Sequence, residues 1–190
     1  DLKLSRGLGD VYKRQLTFVD PTTGEFSYKL DNSNPAVNAL TDEDIAGLQD
    51  VITIRVVDQY GQSSTKDLTI NIDGTNDAPN LSGNLSPHTT EDTVTTTGNL
   101  SSGDPDAGDT HTYFVDNGVG SYGSFSIDSD TGKWTYTLDT AQVQQLNPNQ
   151  SYQETFNVTV IDSKGETSTK PITITIDGVN DSPTITGDLS

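Results

Sequence analysis

A segment of domain size occurs twice in this chain, and this repeat constrains the fold more than any other feature of the sequence. The first copy ends in Ile-Asp-Gly-Thr-Asn-Asp-Ala-Pro at residues 72–79, and the second ends in Ile-Asp-Gly-Val-Asn-Asp-Ser-Pro at residues 176–183, 104 positions later. Residues 23–31 and 131–139 also match, at an offset of 108 positions. A period this long is a whole domain rather than a solenoid repeat of roughly 20 to 50 residues. The sequence therefore predicts tandem copies of one module.

Apolar residues in both copies alternate with polar ones, which is typical of β-strands with one buried face. The alternating positions are Ile52, Ile54 and Val56 in the first copy and Phe156, Val158 and Val160 in the second. An apolar content of 30% is low and would favour disorder, but the regular alternation argues against it. Short helical turns are expected at residues 36–40 and 141–146, and no long stretch has helical periodicity. We therefore predict an all-β fold.

The formal net charge of −18 limits the partners of the chain. Recognition of nucleic acid needs a basic face, so nucleic acid is excluded as a partner. No apolar stretch approaches the ~20 residues of a membrane-spanning helix, so we expect no membrane insertion. A charge of this size opposes folding unless cations neutralise it. The chain has no cysteine, so disulfides cannot stabilise the modules and a structural metal is one alternative.

The repeat divides the chain into four segments. Residues 1–15 have no counterpart in the second copy and are interpreted as a non-native or artefactual leader, with a divergent edge strand as the alternative. Residues 16–79 are predicted to be the C-terminal part of a first module, which lacks its opening strands and exposes an edge. Residues 80–187 are predicted to be a complete second module, and residues 188–190 the start of the next linker.

Four motifs in the second copy carry a family resemblance. They lie at residues 125–128, 131–139, 155–162 and 176–183. Together they resemble the VCBS-type repeat and the related cadherin-like modules of large bacterial RTX-type surface adhesins. The resemblance implies tandem immunoglobulin-like (cadherin-like) β-sandwich modules without enzymatic activity. It also implies a protein that lies outside the cell or on the bacterial surface after export by type I secretion.

Oxygen-bearing side chains cluster where the two modules would join. Calcium takes roughly six to eight hard oxygen ligands, and Asn76 and Asp77 offer an amide and a carboxylate at the joint. Asp104 and Asp106 offer further carboxylates on a turn, and Asp109 of the same turn is a possible third. In cadherin-like modules such residues share a calcium ion with an aspartate of a later loop, and the resemblance implies Asp162 for this role. We therefore expect these five residues to form one Ca²⁺ site between the modules.

A second, partial calcium site is expected at the far end of the second module. Asn180 and Asp181 repeat the joint motif there and would act together with a following repeat. Glu91 lies where the family places an acidic residue near the start of a module, and it could join either cluster. The segments after Asp31 and Asp139 lack the glutamate of the cadherin Asp-x-Glu motif. The resemblance therefore implies fewer calcium ions per joint than in cadherins.

Turn formation is the alternative to calcium binding for these acidic motifs, because Asp and Asn side chains also bond to their own backbone. Residues 20–24 and 128–132 lie between strand-like runs, so we predict hairpin turns there. Asp58 is likewise predicted to be a turn residue. His88 and His111 have no cysteine or second histidine beside them in the sequence, so we do not expect a zinc site.

Three functions fit the sequence. The first is a calcium-stiffened, non-enzymatic spacer of a bacterial adhesin that supports cell adhesion or biofilm formation. Its partners are adjacent repeats of the same chain, while distant domains would contact surface glycans or other cells. The second is a module that itself binds glycans or cells, which requires exposed aromatic residues; Trp134, Tyr136 and Phe156 are instead predicted to be core. The third is an accessory domain of an extracellular hydrolase.

Overall fold

The structure is a computed structural model. In it the chain forms two compact units. The first unit combines the described residues up to Asp77 with Pro105–Gly108, and the second contains the rest of the described residues. Both units consist mainly of β-strands, so the all-β prediction is confirmed. The described residues are 2–5, 15–20, 23–45, 47–183 and 185.

The second unit is a β-sandwich of two antiparallel-dominated sheets. One sheet has the strand order β10-β11-β8-β6 and the other has the order β7-β13-β12-β9, in which β7 runs parallel to β13. The elements are β6 (Asn80–Gly83), β7 (His88–Thr90), β8 (Thr95–Gly103), β9 (Thr112–Val115), β10 (Gly123–Ile127), β11 (Lys133–Leu138), α2 (Thr140–Val143), β12 (Ser151–Ile161) and β13 (Thr167–Asp177).

Side chains from both sheets of the second unit meet in one apolar core. The ring of Phe125 stacks on that of Trp134 with a centroid separation of 5.6 Å and on that of Phe156 at 5.1 Å. Tyr136 is also fully buried in this cluster. The predicted alternation is confirmed for the second copy, because Phe156, Val158 and Val160 of β12 all belong to this core. Trp134, Tyr136 and Phe156 are core residues, as the sequence predicted.

The first unit repeats the later half of this arrangement. Its sheets have the orders β1-β4-β5 and β2-β3. By the repeat alignment, β2, β3, α1, β4 and β5 correspond to β10, β11, α2, β12 and β13. The elements are β1 (Leu2–Ser5), β2 (Gln15–Asp20), β3 (Glu25–Lys29), α1 (Pro35–Asn38), β4 (Leu48–Val57) and β5 (Ser63–Ile72).

Both predicted helical turns are present, and each is capped in the same way. The side chain of Asn34 accepts a hydrogen bond from the Ala36 amide at 2.9 Å before α1. The side chain of Asp139 accepts one from the Ala141 amide at 3.2 Å before α2. Such N-caps satisfy amides that have no partner within the helix. Within the described residues, no helix is long and apolar enough to cross a membrane.

Both predicted hairpin turns have a closing hydrogen bond: the Gly24 N–H donates to the Asp20 carbonyl at 2.9 Å, and the Gly132 N–H donates to the Asp128 carbonyl at 3.1 Å. Residues 21 and 22 lie outside the described residues. In the turn between β10 and β11, Asp128 Oδ1 accepts the Thr131 amide at 2.8 Å and the Thr131 hydroxyl at 2.7 Å. These bonds, the side-chain bond foremost, hold the pKa of Asp128 below its ordinary value. Gly132 ends the turn with a left-handed φ of +68°, which glycine adopts at little cost. Gly24 has a φ of +81° at the matching position between β2 and β3.

Strand β1 lies within the segment that was interpreted as a leader. Leu2 is opposite Val56 and Leu4 is opposite Ile54 in β4, which matches the way β9 lies along β12 in the second unit. The structure thus gives residues 2–5 the place of an edge strand. An exposed sheet edge accepts extended segments of many sequences, so this pairing does not test the leader interpretation. Residues 6–14 lie outside the described residues, and the four predicted segment boundaries stay predictions.

Matched residues of the two units differ in burial. Val160 has 0% of its surface exposed, whereas its counterpart Val56 is 49% exposed. Trp134 is 1% exposed and its counterpart Phe26 is 37% exposed. Among its described residues the first unit has no strands that correspond to β6–β8. Val56 and Phe26, whose counterparts are core residues in the second unit, are therefore open to solvent in the first.

Candidate metal centre

The loop between β8 and β9 brings three carboxylates together. One oxygen from each of Asp104, Asp106 and Asp109 lies within 4.8 Å of the others. The side chain of Asp106 is buried, with 3% of the residue exposed. Carboxylates this close together repel one another unless a proton or a cation intervenes. The loop therefore has the ligand type and the spacing that suit a divalent cation with oxygen ligands.

Two backbone features and one side-chain bond shape this loop. Pro105 has a restricted φ, and Gly108 adopts a left-handed φ of +88°. These residues help the chain to reverse between β8 and β9. The hydroxyl of Ser163 donates a hydrogen bond to Asp109 Oδ1 at 2.5 Å, so the returning end of the loop is held to the turn that follows β12.

One predicted joint residue, Asp77, contacts Asp106 of the carboxylate loop, and both residues belong to the first unit. The backbone N–H of Asp77 donates to Asp106 Oδ2 at 2.6 Å. Asn76 donates its side-chain N–H to the Asp77 carbonyl at 3.2 Å. Asn180 and Asp181 repeat this bond at the same distance, and both are exposed. The two Asn-Asp motifs thus share one local geometry.

Asp162 is engaged as a turn residue. Its Oδ1 accepts the backbone N–H groups of Lys164, Gly165 and Glu166 at 2.8, 2.6 and 2.9 Å. Asp58 is also a turn residue in the first unit, as predicted, and its Oδ1 accepts the backbone N–H groups of Tyr60 and Gln62 at 2.9 and 2.8 Å. Asp162 is not part of the three-carboxylate group. Its role as a calcium ligand stays a prediction.

Glu91 lies at the second Asn-Asp joint. Its side chain is fully buried, with 0% of the residue exposed, although it bears a carboxylate. Its Oε1 accepts the Val179 N–H at 2.6 Å, and its own backbone N–H donates to the Asp177 carbonyl at 3.1 Å. Of the two clusters that the sequence left open for Glu91, these contacts favour the one around Asn180 and Asp181.

A separate observation, the lack of hydrogen-bond donors at two buried carboxylate oxygens, shows that the acidic groups fit calcium. Two buried carboxylate oxygens, Oε2 of Glu91 and Oδ2 of Asp109, accept no hydrogen bond in the structure. A buried carboxylate oxygen without a donor is costly unless a cation approaches it. Calcium, which takes carboxylate oxygens at roughly 2.3 to 2.6 Å, would satisfy such atoms.

Two residues of this loop were not among the predicted ligands of the joint site. Asp109, which was predicted as a possible third carboxylate of the turn, belongs to the carboxylate group. His111 Nε2 lies 3.3 Å from Asp104 Oδ2. No sequence pattern indicates that contact, because it arises when the loop returns to its own starting strand.

Comparison with known proteins agrees with this architecture. The family model described as a bacterial cadherin-like domain matches residues 76–178, which is more than half of the chain. No curated protein matches the chain significantly.

Two solved cadherin structures share the fold, and a third is similar at a lower score. Mouse cadherin-23 domains EC22–24 align with a TM-score of 0.55 and 15% identity over 94% of this chain and 53% of that one. Drosophila N-cadherin EC1–4 aligns with a TM-score of 0.50 and 17% identity over 93% and 44%. Protocadherin gamma B7 domains 1–4 align with a TM-score of 0.46 and 22% identity over 95% and 42%. The chain thus spans about half of these structures, or less.

Proposed function

Since the chain belongs to the family of bacterial cadherin-like domains, we propose that it is a calcium-binding structural repeat of a bacterial adhesin. The proposed repeat has no catalytic role and is located outside the cell or on the cell surface. Its immediate partners are neighbouring repeats of the same protein. We further propose export by type I secretion and a contribution to cell adhesion or biofilm formation, in line with the resemblance to VCBS-type modules of RTX adhesins.

One observation carries the proposal: the convergence of Asp104, Asp106 and Asp109 within 4.8 Å in a loop of a chain with a net charge of −18. A turn needs one aspartate to accept backbone amides, as Asp128 shows in its hairpin. Three converging carboxylates exceed what a turn requires, and their mutual repulsion is a cost that only a bound cation or proton relieves.

Calcium would supply positive charge and would form reversible coordination bonds with the carboxylate oxygens. Asp104, Asp106 and Asp109 would hold one ion, with Asn76 and Asp77 as further proposed ligands. Once the carboxylates are neutralised, the loop and the joint segment lose their mutual repulsion and become ordered. In a series of such repeats, ordered joints would convert a flexible chain into a stiff rod that projects a distant binding domain.

A second ion is proposed at the end of the second module. Glu91 would bind it together with Asn180 and Asp181. The buried Oε2 of Glu91 supports this proposal, because it has no hydrogen-bond partner. Because Asn180 and Asp181 are exposed, the ion would need further ligands from a following repeat to complete its coordination shell.

Burial of the aromatic residues weighs against the glycan-binding alternative. A sugar platform requires a ring face that solvent can reach, and Trp134 is 1% exposed. Among the described residues, the exposed aromatic side chains are Phe26, Tyr60 and Phe114, and they are distributed over both units. No observation favours the hydrolase-accessory alternative over the spacer.

Isothermal titration of the whole chain with Ca²⁺ tests this function. We expect saturable binding that weakens at least tenfold when Asp104 and Asp106 are both changed to Asn, because each loses a formal charge at the ion. Asp130→Asn is the matched control, since Asp130 is an exposed hairpin aspartate outside the cluster. Wild-type protein that gives no heat of binding with Ca²⁺ would refute the proposal.

A further inference from the structure

We propose that His111 is a positioning residue that orients the Asp104 carboxylate for calcium. This inference rests on the proposed calcium function. His111 lies at the returning end of the loop, immediately before β9, whereas Asp104 begins the loop after β8. Its imidazole therefore connects the two ends of the segment that carries the three carboxylates.

A chain of hydrogen bonds fixes the imidazole. Nε2 of His111 is 3.3 Å from Asp104 Oδ2, and Nδ1 is 2.8 Å from the Ser102 hydroxyl oxygen. That oxygen is in turn 2.7 Å from the Tyr113 hydroxyl. The Asp104 side chain is 3% exposed and that of His111 is 15% exposed, so water screens these bonds little.

The donor and acceptor groups allow one consistent direction of proton donation along this series of hydrogen bonds. An ionised carboxylate only accepts, so Nε2 of His111 must carry a proton and donate to Asp104. In the neutral ring Nδ1 is then an acceptor, and the Ser102 hydroxyl donates to it. The Ser102 oxygen accepts from the Tyr113 hydroxyl. Each group donates one proton, and Tyr113, a buried residue of β9, anchors the far end.

This arrangement suits metal positioning better than catalysis. In hydrolytic Ser-His-Asp triads, Nε2 of the imidazole faces the serine and Nδ1 faces the aspartate. Here the two nitrogens are exchanged, since Nδ1 faces Ser102 and Nε2 faces Asp104. The Ser102 hydroxyl is also bonded to Tyr113. Metal-binding carboxylates commonly have such hydrogen-bonding partners, and loss of a partner typically costs about 10- to 100-fold in metal affinity.

The test compares His111→Phe with His111→Gln in the whole chain. Phenylalanine keeps a flat ring but cannot bond to Asp104, whereas the glutamine amide can place a donor near the position of Nε2. Ca²⁺ affinity is measured by titration calorimetry, and Tb³⁺ luminescence lifetimes in H₂O and D₂O count the water molecules on a bound ion. Unfolding temperatures in chelator provide the stability of each variant without metal.

We expect His111→Phe to weaken Ca²⁺ binding about 10- to 100-fold and to add water to bound Tb³⁺. His111→Gln should regain most of the wild-type affinity. Ser102→Ala should show a smaller loss, because the ring keeps its bond to Asp104 but loses its own support. Ser101→Ala is its matched control and should bind like wild type, since Ser101 contacts Ser82 on the outer face.

Two outcomes would overturn the inference in distinguishable ways. If His111→Phe lowers the unfolding temperature in chelator but binds Ca²⁺ as tightly as wild type, the residue is only structural. If His111→Gln loses as much affinity as His111→Phe, the donated hydrogen bond is not what matters. Failure of the wild-type chain itself to bind Ca²⁺ would instead refute the proposed function on which this inference depends.

Discussion

Gly98 in β8 is a position where one added methyl group should destabilise the second unit. Gly98 is opposite Trp134 in the sheet, and a Cβ there would lie 2.4 Å from Trp134 Cζ2 and 2.7 Å from Cε2. Carbon atoms prefer a separation of roughly 3.5 to 4.0 Å, so the indole would have to move by about 1 Å. The stacked rings of Phe125 and Phe156 oppose that movement.

The cost of Gly98→Ala can be bounded from both sides. Overpacking a well-packed core typically costs about 1 to 3 kcal/mol. Expelling the indole instead would expose roughly 150 to 250 Å² of surface at about 25 cal/mol per Å², which is about 4 to 6 kcal/mol. We expect a loss of about 2 to 4 kcal/mol, because partial shifts of neighbouring rings are less costly than expulsion. The corresponding fall in unfolding temperature is at least about 8 °C for a domain of this size.

Gly103→Ala is the matched control for this substitution. Gly103 lies on the same strand, and a Cβ there would meet nothing within 4 Å, so its effect should stay within about 0.5 kcal/mol. Urea unfolding followed by tryptophan fluorescence reports on the second unit alone, because Trp134 is the only tryptophan of the chain. Equal midpoints for the two variants would refute the packing described for this core.

Three further predictions follow from individual side chains. Val160→Ala should lower the free energy of unfolding by about 1.5 to 3 kcal/mol, and Val56→Ala should lower it by less than half as much. The reason is that Val160 is fully buried whereas Val56 is 49% exposed. Urea unfolding followed by circular dichroism checks the difference. Burial raises the pKa of Tyr136 above its ordinary value, so the contribution of this residue to stability is present below pH about 10 and declines above it. Ultraviolet titration should show Tyr136 ionising only as the second unit unfolds. Ionisation of Tyr136 near pH about 10 in the folded protein would contradict this. Thr131→Val removes the main cause of the lowered pKa of Asp128, so carboxyl NMR should show a higher pKa for this residue. Because that pKa then lies closer to its value in the unfolded chain, the stability lost on acidification should be smaller than in wild type.

The strands were predictable because local pattern and burial agree in both modules. The alternation at Phe156, Val158 and Val160 allows one register only, since a slip of one residue would turn all three toward solvent. The turns at residues 20–24 and 128–132 were also predictable, because aspartate and glycine produce them locally. In each case the information lies within about ten neighbouring residues.

Contacts that depend on distant parts of the chain were not predictable. The hydroxyl of Tyr136 donates a hydrogen bond to Glu154, and the Tyr28 hydroxyl donates to Asp50 at 3.1 Å in the first unit. Both pairs occupy matching places of the repeat, but only the folded sandwich brings the strands together. Tyr136 was therefore predicted only as a core residue, and neither acidic partner could be anticipated from the sequence.

The candidate site was predicted only in part for the same reason. Asp104 and Asp106 are close in sequence, so their clustering followed from the turn itself. The contribution of Asp109 depends on how far the loop curls back, and that of His111 depends on the pairing of β9 with β12. Glu91 was left between two clusters because its place follows from the parallel pairing of β7 with β13, which joins segments far apart in sequence.

Thermal unfolding of the whole chain with and without calcium tests the account most directly. Trp134 fluorescence is recorded in chelator, in excess Mg²⁺ and in Ca²⁺ at 100 times its measured dissociation constant. Binding to the native state alone then stabilises it by about 2.7 kcal/mol, which should raise the unfolding temperature of a domain of this size by roughly 10 °C or more. The account predicts this rise for Ca²⁺, a much smaller one for Mg²⁺, and its loss when Asp104 and Asp106 are both asparagine. Identical unfolding temperatures in Ca²⁺ and chelator would contradict it and leave the acidic loop as a turn without a metal.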